Sequence, residues 1–564
     1  MTLQTQSAPP PAHAAEPIWY ASYPPGIPKT IDPDTYSSLP AMLLDACARH
    51  ASHPAFECLG VGVTYTEWDR LSRAFAAFLV EEVKFHPGDR IAIMLPNLLA
   101  YPVAFLGAVR AGLIVVNVNP LYTPRELKEQ LTDCGATAIV IMENFAHKLE
   151  AVLAETKIRH VVVARLGDFT PTIKRTVFNF ANTYVRRAVP AWRFENVTLL
   201  QKACSRVPGA HYVDAAPGPT SPALLQYTGG TTGVAKAAIL THRNLVANTL
   251  QCRAVIAPYL PEEQSSVLTP LPLYHIFSLT ANLLAFALMG GRSVLVPDPR
   301  DIKGLIRTIA RARVATMTGV NTLFNALINN PDFAALDFSK LKFAVGGGAA
   351  VQSAVAVRWR EITGTELVEG YGLTEASPVV CINPVRNPRI GTVGLPVPST
   401  EVAIRDDQGN DLPVGEAGEI CVRGPQVMHG YWHRHDESKL VLTAEGWLHT
   451  GDIGAFDADG YLKILDRKKD MVNVSGFKVF PNEVEDVMMQ HPGVLESAVI
   501  GVADPHTGQG VKLFVVKRDP ALTEADLSKF ARERLAAYKV PKVIVFVDSL
   551  PKSNVGKIIR KDLK

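Results

Sequence analysis

The sequence predicts an α/β fold: a large N-terminal domain made of two α/β subdomains plus a small β-rich subdomain, followed by a small α+β C-terminal domain. Three observations predict it. At 564 residues the chain is too long for one ordinary core, so several subdomains are expected. From Phe56 onward, strand-like apolar runs alternate with amphipathic helical runs, the pattern of largely parallel sheets covered by helices. Beyond about residue 384 the rhythm changes to short strands with glycine turns, and after Asp466 to a separate α/β pattern.

Residues 1–18 read as a disordered Pro/Ala-rich tail; the first seventeen carry no Lys or Arg and no apolar stretch, so no secretory signal is visible. The N-terminal domain then spans 19–465. RIAIML (90–95) reads as a strand, NLLAYPVAFLGAVRAG as a helix and IVVNV as the next strand. TPRELKEQL opens a helix on a Thr-Pro cap, and TAIVIM follows as a strand. Segment 171–200 mixes Lys174, Arg175, Arg186, Arg187 and Arg193 with Phe178, Phe180, Tyr184 and Trp192. It reads either as a membrane-surface helix or as a solvated helix packed on its own domain.

Segment 264–291 has no Asp, Glu, Lys or Arg, yet Pro270, Pro272, His275, Ser278, Thr280 and Asn282 interrupt it. Its apolar tail is shorter than the roughly 20 residues a spanning helix needs, so a buried strand, loop and helix is expected. A second α/β block runs from 292 to about 383. EVAIRD, EICVRG and GYLKIL mark the β-rich subdomain at about 384–465. The C-terminal domain, 466–564, has NEVEDVMMQH and EADLSKFARERL as helices with SAVIGV and LFVVK as strands.

Net charge is only +3, so the overall balance lends no support to a nucleic-acid role. The seven cysteines are scattered, odd in number and never in C-x-x-C spacing, which excludes a recognisable zinc site and suits a reducing compartment.

The chemistry is concentrated in a few runs. QYTGGTTGVAKAA (226–238) contains Tyr227, Thr228, Gly229, Gly230, Thr231, Thr232, Gly233 and Lys236. Glycines let the backbone turn its amides toward an anion, threonines add hydroxyl donors, and the lysine adds a mobile charge: a polyphosphate loop. Composition alone would favour a flexible surface loop, but the closing lysine and the apolar flanks weigh against it. A Walker A loop is not met, because Lys236 sits between two alanines and a short strand rather than a helix follows. Helical pattern resumes after Thr241, a suitable N-cap.

AVGGGAAV (344–351) supplies Gly346, Gly347 and Gly348 after a strand, where backbone can approach a ligand. VEGYGLTEASP (368–378) supplies Tyr371 as a stacking face for a purine, Gly372, Thr374 as a phosphate donor and Glu375 as an oxygen ligand for Mg²⁺. GWLHTGD (446–452) ends in Asp452, suited to accepting from two ribose hydroxyls. PKSNVGKIIRKDL (551–563) presents Lys557; seven Lys/Arg against two acids over 538–564 make a merely soluble basic tail the bland alternative.

Taken together, these runs resemble the adenylate-forming superfamily, and from about Trp19 to Lys564 the chain closely resembles bacterial long-chain fatty-acid–CoA ligases. YPPGIPKTIDPDTY, VNVNPLYTPREL, LPLYHIF, TGVNTLFNAL, VGLPVPSTE, GPQVMHGYW and DRKKDM carry the resemblance alongside the runs above. It implies ATP, Mg²⁺ and coenzyme A as cofactor and co-substrates, a long-chain fatty acid as substrate, and a cytoplasmic enzyme peripherally associated with the inner face of the membrane; a homodimer is left open.

Residue by residue, the resemblance implies that 227–238 hold the β- and γ-phosphates. Gly346–Gly348 and Tyr371 frame adenine, Thr374 contacts the α-phosphate, Glu375 binds magnesium, and Asp452 and Arg467 hold the ribose. Lys557 stabilises charge at the reacting carboxylate and α-phosphate, Asp466 is the hinge, and Gly476 lines the pantetheine tunnel after the domain swings. Val320, Asn321, Phe324 and Gly346 line an acyl pocket. His275, in LPLYHIF, lies near the acyl group or is a core histidine. No Asp or Glu occurs between Gln264 and Val296 to pair an ammonium, which disfavours an amino-acid substrate. The chain departs from the family loop in having Ala235 and Ala237 around its lysine, with little loss expected, and little tail follows Lys557 to anchor it. The rival readings are a ligase for medium-chain or aryl acids and a non-catalytic fatty-acid uptake or binding protein. The set Lys236, Glu375, Asp452 and Lys557 disfavours the latter.

Overall fold

The computed structural model describes residues 16–228, 235–260, 265–553 and 556–563. Two large sheets make up most of the N-terminal part. In the eight-stranded one, Arg90–Met94, Ile114–Asn117, Ala138–Met142, His160–Ala164 and Pro222–Thr228 run parallel. Lys236–Thr241 and Gly430–Tyr431 extend it antiparallel. In the nine-stranded one, Pro54–Cys58, Arg292–Leu295, Ser266–Thr269, Thr316–Gly319, Phe343–Gly346 and Glu366–Gly372 form the parallel run. Strands such as Ile91–Met94 and Ala138–Met142 are buried on both faces, which is why they read as unbroken apolar runs rather than alternating ones.

Local signals place the helices. Thr64 with Glu67, Thr123 with Glu126, Thr241 with Asn244 and Thr523 with Asp526 form reciprocal capping pairs at four N-termini. Pro124 follows its cap at the first helical position, as the Thr-Pro pair indicates. Helix Ala100–Arg110 is buried along its whole length, even at Arg110, whose guanidinium is paired by Asp69 and Asp214. The uncharged segment 264–291 begins, among described residues, with the buried strand Ser266–Thr269 and continues as buried helical turns through Ala285–Leu288. Among the described residues no helix is long and apolar enough to cross a membrane.

A four-stranded antiparallel sheet, Glu401–Arg405, Gly418–Arg423, Leu448–Phe456 and Leu462–Arg467, forms the β-rich subdomain. Asp466 therefore lies inside its last strand. The C-terminal part has its own sheet beginning at Val472 and its own core, built from Val472, Val484, Met488, Val499, Leu513 and Leu527 among others. Segment 171–200 folds as helix Thr172–Phe180, prolonged by the π turn Ala181–Val185. Ile173, Val177, Phe180, Tyr184 and Val185 are exposed on it; Asn182 is buried and bonded to Glu143 and Asn144. Of its named aromatics, Phe178 leans on one core of the eight-stranded sheet and Trp192 on the other.

Candidate active site

One cavity of about 2280 Å³ opens where both large sheets, the small sheet and the C-terminal part meet. Strands Pro222–Thr228 and Lys236–Thr241 pair antiparallel, with Thr228 opposite Lys236, so the described ends of the glycine-threonine run stand side by side. Gly229, Gly230, Thr231, Thr232 and Gly233 lie outside the described residues. Tyr227, Thr228 and Lys236 line the cavity. Helix begins only at His242, consistent with the absence of a Walker A helix. Strand alternation turns Ala237 the other way, into the buried core, so its extra Cβ does not crowd the lysine.

Lys236 Nζ is 2.5 Å from a carboxylate oxygen of Glu437 and sits 5.5 Å from the ring centre of Tyr431. The hydroxyl of the same Tyr431 donates to Glu375 at 2.8 Å. One tyrosine therefore joins the lysine that closes the glycine-threonine run to the acid of the Gly-Leu-Thr-Glu run, and both face the same cavity. Tyr227 donates to Asp133 at 2.6 Å, and Arg434 pairs with the other oxygen of Asp133 at 2.8 Å, placing a second cation at this end.

Strand Glu366–Gly372 carries Tyr371 and Gly372, and a 3-10 turn carries Thr374 and Glu375. A Cβ on Gly372 would fall 2.1 Å from the carbonyl oxygen of Pro378, so only glycine fits there. Tyr371 donates to Asp452 at 2.7 Å; Arg467, opposite Asp452 in the neighbouring strand, approaches its other oxygen at 3.5 Å. Burial raises the Asp452 pKa and Arg467 pulls it back. Gly347 and Gly348 line the cavity, and a Cβ on Gly348 would meet Lys557 Cε at 3.1 Å.

Lys557 lies in this cavity. Burial, then Arg467, push its pKa down to about 8 against the pull of Asp452 and Glu375. Its segment is anchored by Arg560, which bonds to Asp466 at 3.0 Å, to both oxygens of Glu485 at 3.0 Å and to Asn482 at 2.5 Å. Burial raises the Glu485 pKa to about 7; Arg560 opposes that rise. Asp466 also accepts from the backbone N–H of Asn482 and of Arg467, both at 2.8 Å.

His275 faces the cavity; its Nδ1 accepts from the N–H of Phe277 at 3.3 Å, which leaves the other ring nitrogen to carry the proton. Burial, then Lys557, hold its pKa down at about 3, so the ring is neutral. Asn321 lines the cavity and exchanges two hydrogen bonds with Gln352. Three expected pocket residues lie behind the wall instead. Phe324 is fully buried, edge-on to Trp359 with ring centres 5.0 Å apart. Val320 backs Gly348 and Gly556, and Gly346 packs against Val351, whose Cγ2 lies 2.4 Å from where a Cβ would stand. The cause is packing: an apolar residue after a buried strand serves the core as readily as a pocket. Gly476 sits at positive φ in the exposed turn between Val472–Val474 and Phe477–Val479, outside the cavity in this arrangement.

The apolar part of the cavity is lined by residues that the sequence did not single out: Cys252, Val255 and Ile256 on helix His242–Ile256, with Phe286, Phe343 and Ile382. Tyr431, Arg434, Asp133, Asp486 and Arg560 were likewise missed, although Tyr431 lies in GPQVMHGYW and Arg560 three residues beyond Lys557. Among the described residues no group of three or more His, Cys, Asp or Glu could hold a metal. A lone carboxylate, Glu375, suits magnesium, which binds through one or two carboxylates plus substrate phosphates.

The chain belongs to the AMP-binding enzyme family. The family model "AMP-binding enzyme" matches residues 43–432, and "AMP-binding enzyme C-terminal domain" matches 483–557. The chain is 52% identical over 548 residues, covering 97% of it and 98% of the relative, to a long-chain-fatty-acid–CoA ligase of Escherichia coli O6:H1. Among solved structures it is similar to the anthranilate CoA ligase AuaEII in complex with anthranoyl-AMP, at 26% identity and TM-score 0.85 over 94% of this chain and 98% of that one. It is also similar to ATP-bound MatB from Rhodopseudomonas palustris, at 28% identity and TM-score 0.80 over 93% and 98%.

Proposed function

We propose that this enzyme activates long-chain fatty acids to acyl-CoA, through an acyl-AMP intermediate and with release of pyrophosphate and AMP. The observation that carries the proposal is the junction at Tyr431, which joins Lys236 and Glu375 in one cavity with Asp452, Lys557 and an apolar recess.

In the first step a carboxylate oxygen attacks the α-phosphorus of ATP and the bond to the β-phosphate oxygen breaks. Lys236 and the amides of the glycine-threonine run offset the charge on departing pyrophosphate, and Thr374 contacts the α-phosphate. Tyr371 stacks on adenine beside Gly347 and Gly348, and Asp452 with Arg467 holds the ribose. Glu375, oriented by Tyr431, would hold Mg²⁺, which when bound neutralises phosphate charge. Lys557 stabilises charge between the fatty carboxylate and the α-phosphate. In the second step the thiolate of CoA attacks the acyl carbon and AMP leaves. Asp466 is the hinge for the intervening rotation of 466–564 against 19–465, and Gly476 then reaches the pantetheine path. His275, uncharged, lies beside the acyl group. Each CH₂ entering the apolar recess contributes about 0.8 kcal/mol, so long chains need no polar partner.

ATP–pyrophosphate exchange with a panel of carboxylic acids tests this reading. Exchange rising with chain length supports it; a preference for aryl or medium-chain acids replaces it with the rival ligase, and no exchange with any acid leaves a binding protein. The second part of the proposal is peripheral contact with an anionic membrane through 171–200. Ile173, Val177, Phe180, Tyr184 and Val185 project outward beside Lys174, Arg175, Arg186 and Arg187. Loss of binding to phosphatidylglycerol vesicles when these four basic residues are neutralised would support it; unchanged binding would remove it.

A further inference from the structure

Helix Ser353–Thr363 begins without a cap of its own: Gln352 offers no side-chain bond and the first turn has no acid. The three N–H groups that enter it are nevertheless all taken. Val351 N–H donates to Glu369 at 3.0 Å, and Gln352 N–H to Asn321 at 3.0 Å, both within the N-terminal part. The third, Ser353 N–H, donates across the interface to Asp486 of the C-terminal part at 3.1 Å, and Ser353 Oγ donates to the second oxygen of the same carboxylate at 3.3 Å. Two neutral bonds lie on the same face: Thr322 Oγ1 donates to the carbonyl of Gly556 and Asn325 Nδ2 to that of Leu495, each at 2.9 Å. Gly556 is the residue directly before Lys557, so docking at this face and the entry of the lysine into the cavity are one event.

We infer that Asp486 is a positioning residue for the first half-reaction, an interdomain cap on helix Ser353–Thr363 that favours the arrangement with Lys557 in the cavity. The inference rests on the two-step function proposed above. A carboxylate on the N–H and hydroxyl of one helix-terminal residue is a charge-assisted contact that a swung-out domain gives up. The cap therefore acts on the balance between the two arrangements rather than on the chemistry of either. Removing it disfavours adenylation and leaves the thioester step untouched or faster, because that step needs the domain elsewhere.

The test measures the two half-reactions separately on the full chain: ATP–pyrophosphate exchange with a C16 fatty acid, and acyl-CoA formation from synthetic C16 acyl-AMP plus CoA. Asp486→Ala is expected to slow exchange at least about tenfold, since it loses the charge-assisted bonds from both Ser353 N–H and Ser353 Oγ, without slowing the second reaction. Asp486→Asn, whose amide oxygen can still accept from Ser353 N–H, is expected to fall between. Ser353→Pro removes both donors from the other side, at the first helical position, where proline is tolerated. Gln352 before it is extended (φ −66°, ψ 137°), as a residue preceding proline prefers. This variant should match Asp486→Ala, and the double variant should be no slower than either single one. Unchanged exchange in both single variants, equal loss in both half-reactions, or full additivity in the double variant would overturn the inference. Absence of exchange in the unaltered chain would instead remove the function on which it rests.

Discussion

Two lysines enter the same cavity from parts of the molecule built in opposite ways. Lys236 opens a strand of an eight-stranded sheet, and its neighbours Ala237 and Ala238 are buried in separate cores on either side. Lys557 lies on a segment joined to its own domain, among the described residues, by the β-bridge Lys552 to Ile558, the Arg560 cluster and the packing of Ile558 and Leu563 near Phe514. The Thr322–Gly556 bond joins it to the N-terminal part. Apolar burial on both sheet faces makes the first position a fixed part of the wall. The second reaches the same wall through polar contacts between the two parts, such as Thr322 to Gly556, Asn325 to Leu495 and Ser353 to Asp486. The two-step function proposed above presents two different sets of groups in turn, and one lysine on the sheet with one on the C-terminal part serves it.

The largest test of that contrast is Lys557→Ala. Acyl-AMP formation should fall by about 10²–10³-fold, the usual effect of removing one preorganised charge at the reacting centre. ATP binding by equilibrium dialysis should persist, because the phosphates, adenine and ribose keep their own partners. Unchanged turnover would end the assignment of Lys557. Next comes Arg560→Ala, which leaves Asp466 and Glu485 buried with their cation gone. Breaking a buried pair of this kind costs about 3 kcal/mol. Hydrogen exchange should show the loss in 472–563 and not in the two large sheets.

A third, smaller effect is pH-dependent. The folded pKa of Lys557 is lowered from 10.5 to about 8, so its charge is present below that pH and is lost as pH rises through it. The kcat/KM for adenylation should decline above about pH 8, roughly tenfold per unit once the group has titrated. Lys557→Arg, always charged, should flatten the decline even if its absolute rate is lower. The smallest effect belongs to the fixed lysine's neighbour. Ala237→Gly should cost about 0.5–1 kcal/mol in stability for a glycine inside a strand, with adenylation scarcely altered. A large gain in adenylation would show that the Ala237 Cβ does crowd Lys236.

The sequence by itself determined much of this molecule. The alternation of apolar runs placed the strands at 90–94, 114–117 and 138–142, because strands buried on both faces must be continuously apolar. Capping residues at Thr123 and Thr241 placed helix starts, because their side chains answer backbone groups within three residues. Lys236, Tyr371, Glu375 and Asp452, which line one cavity, each lie in a short run whose residue types suit phosphate, base, metal or ribose, whereas Lys557, which lines it too, was singled out by the family resemblance. Tertiary structure alone decided which apolar residues face the cavity. Phe324 packs on Trp359, whereas Ile256, Phe286 and Phe343 line the recess, and no local pattern separates a pocket wall from a core. It alone also revealed Tyr431 between Lys236 and Glu375, Arg560 on Asp466 and Asp486 on Ser353. Those partners are 56, 94 and 133 residues apart, and only long-range packing brings such side chains within hydrogen-bonding reach.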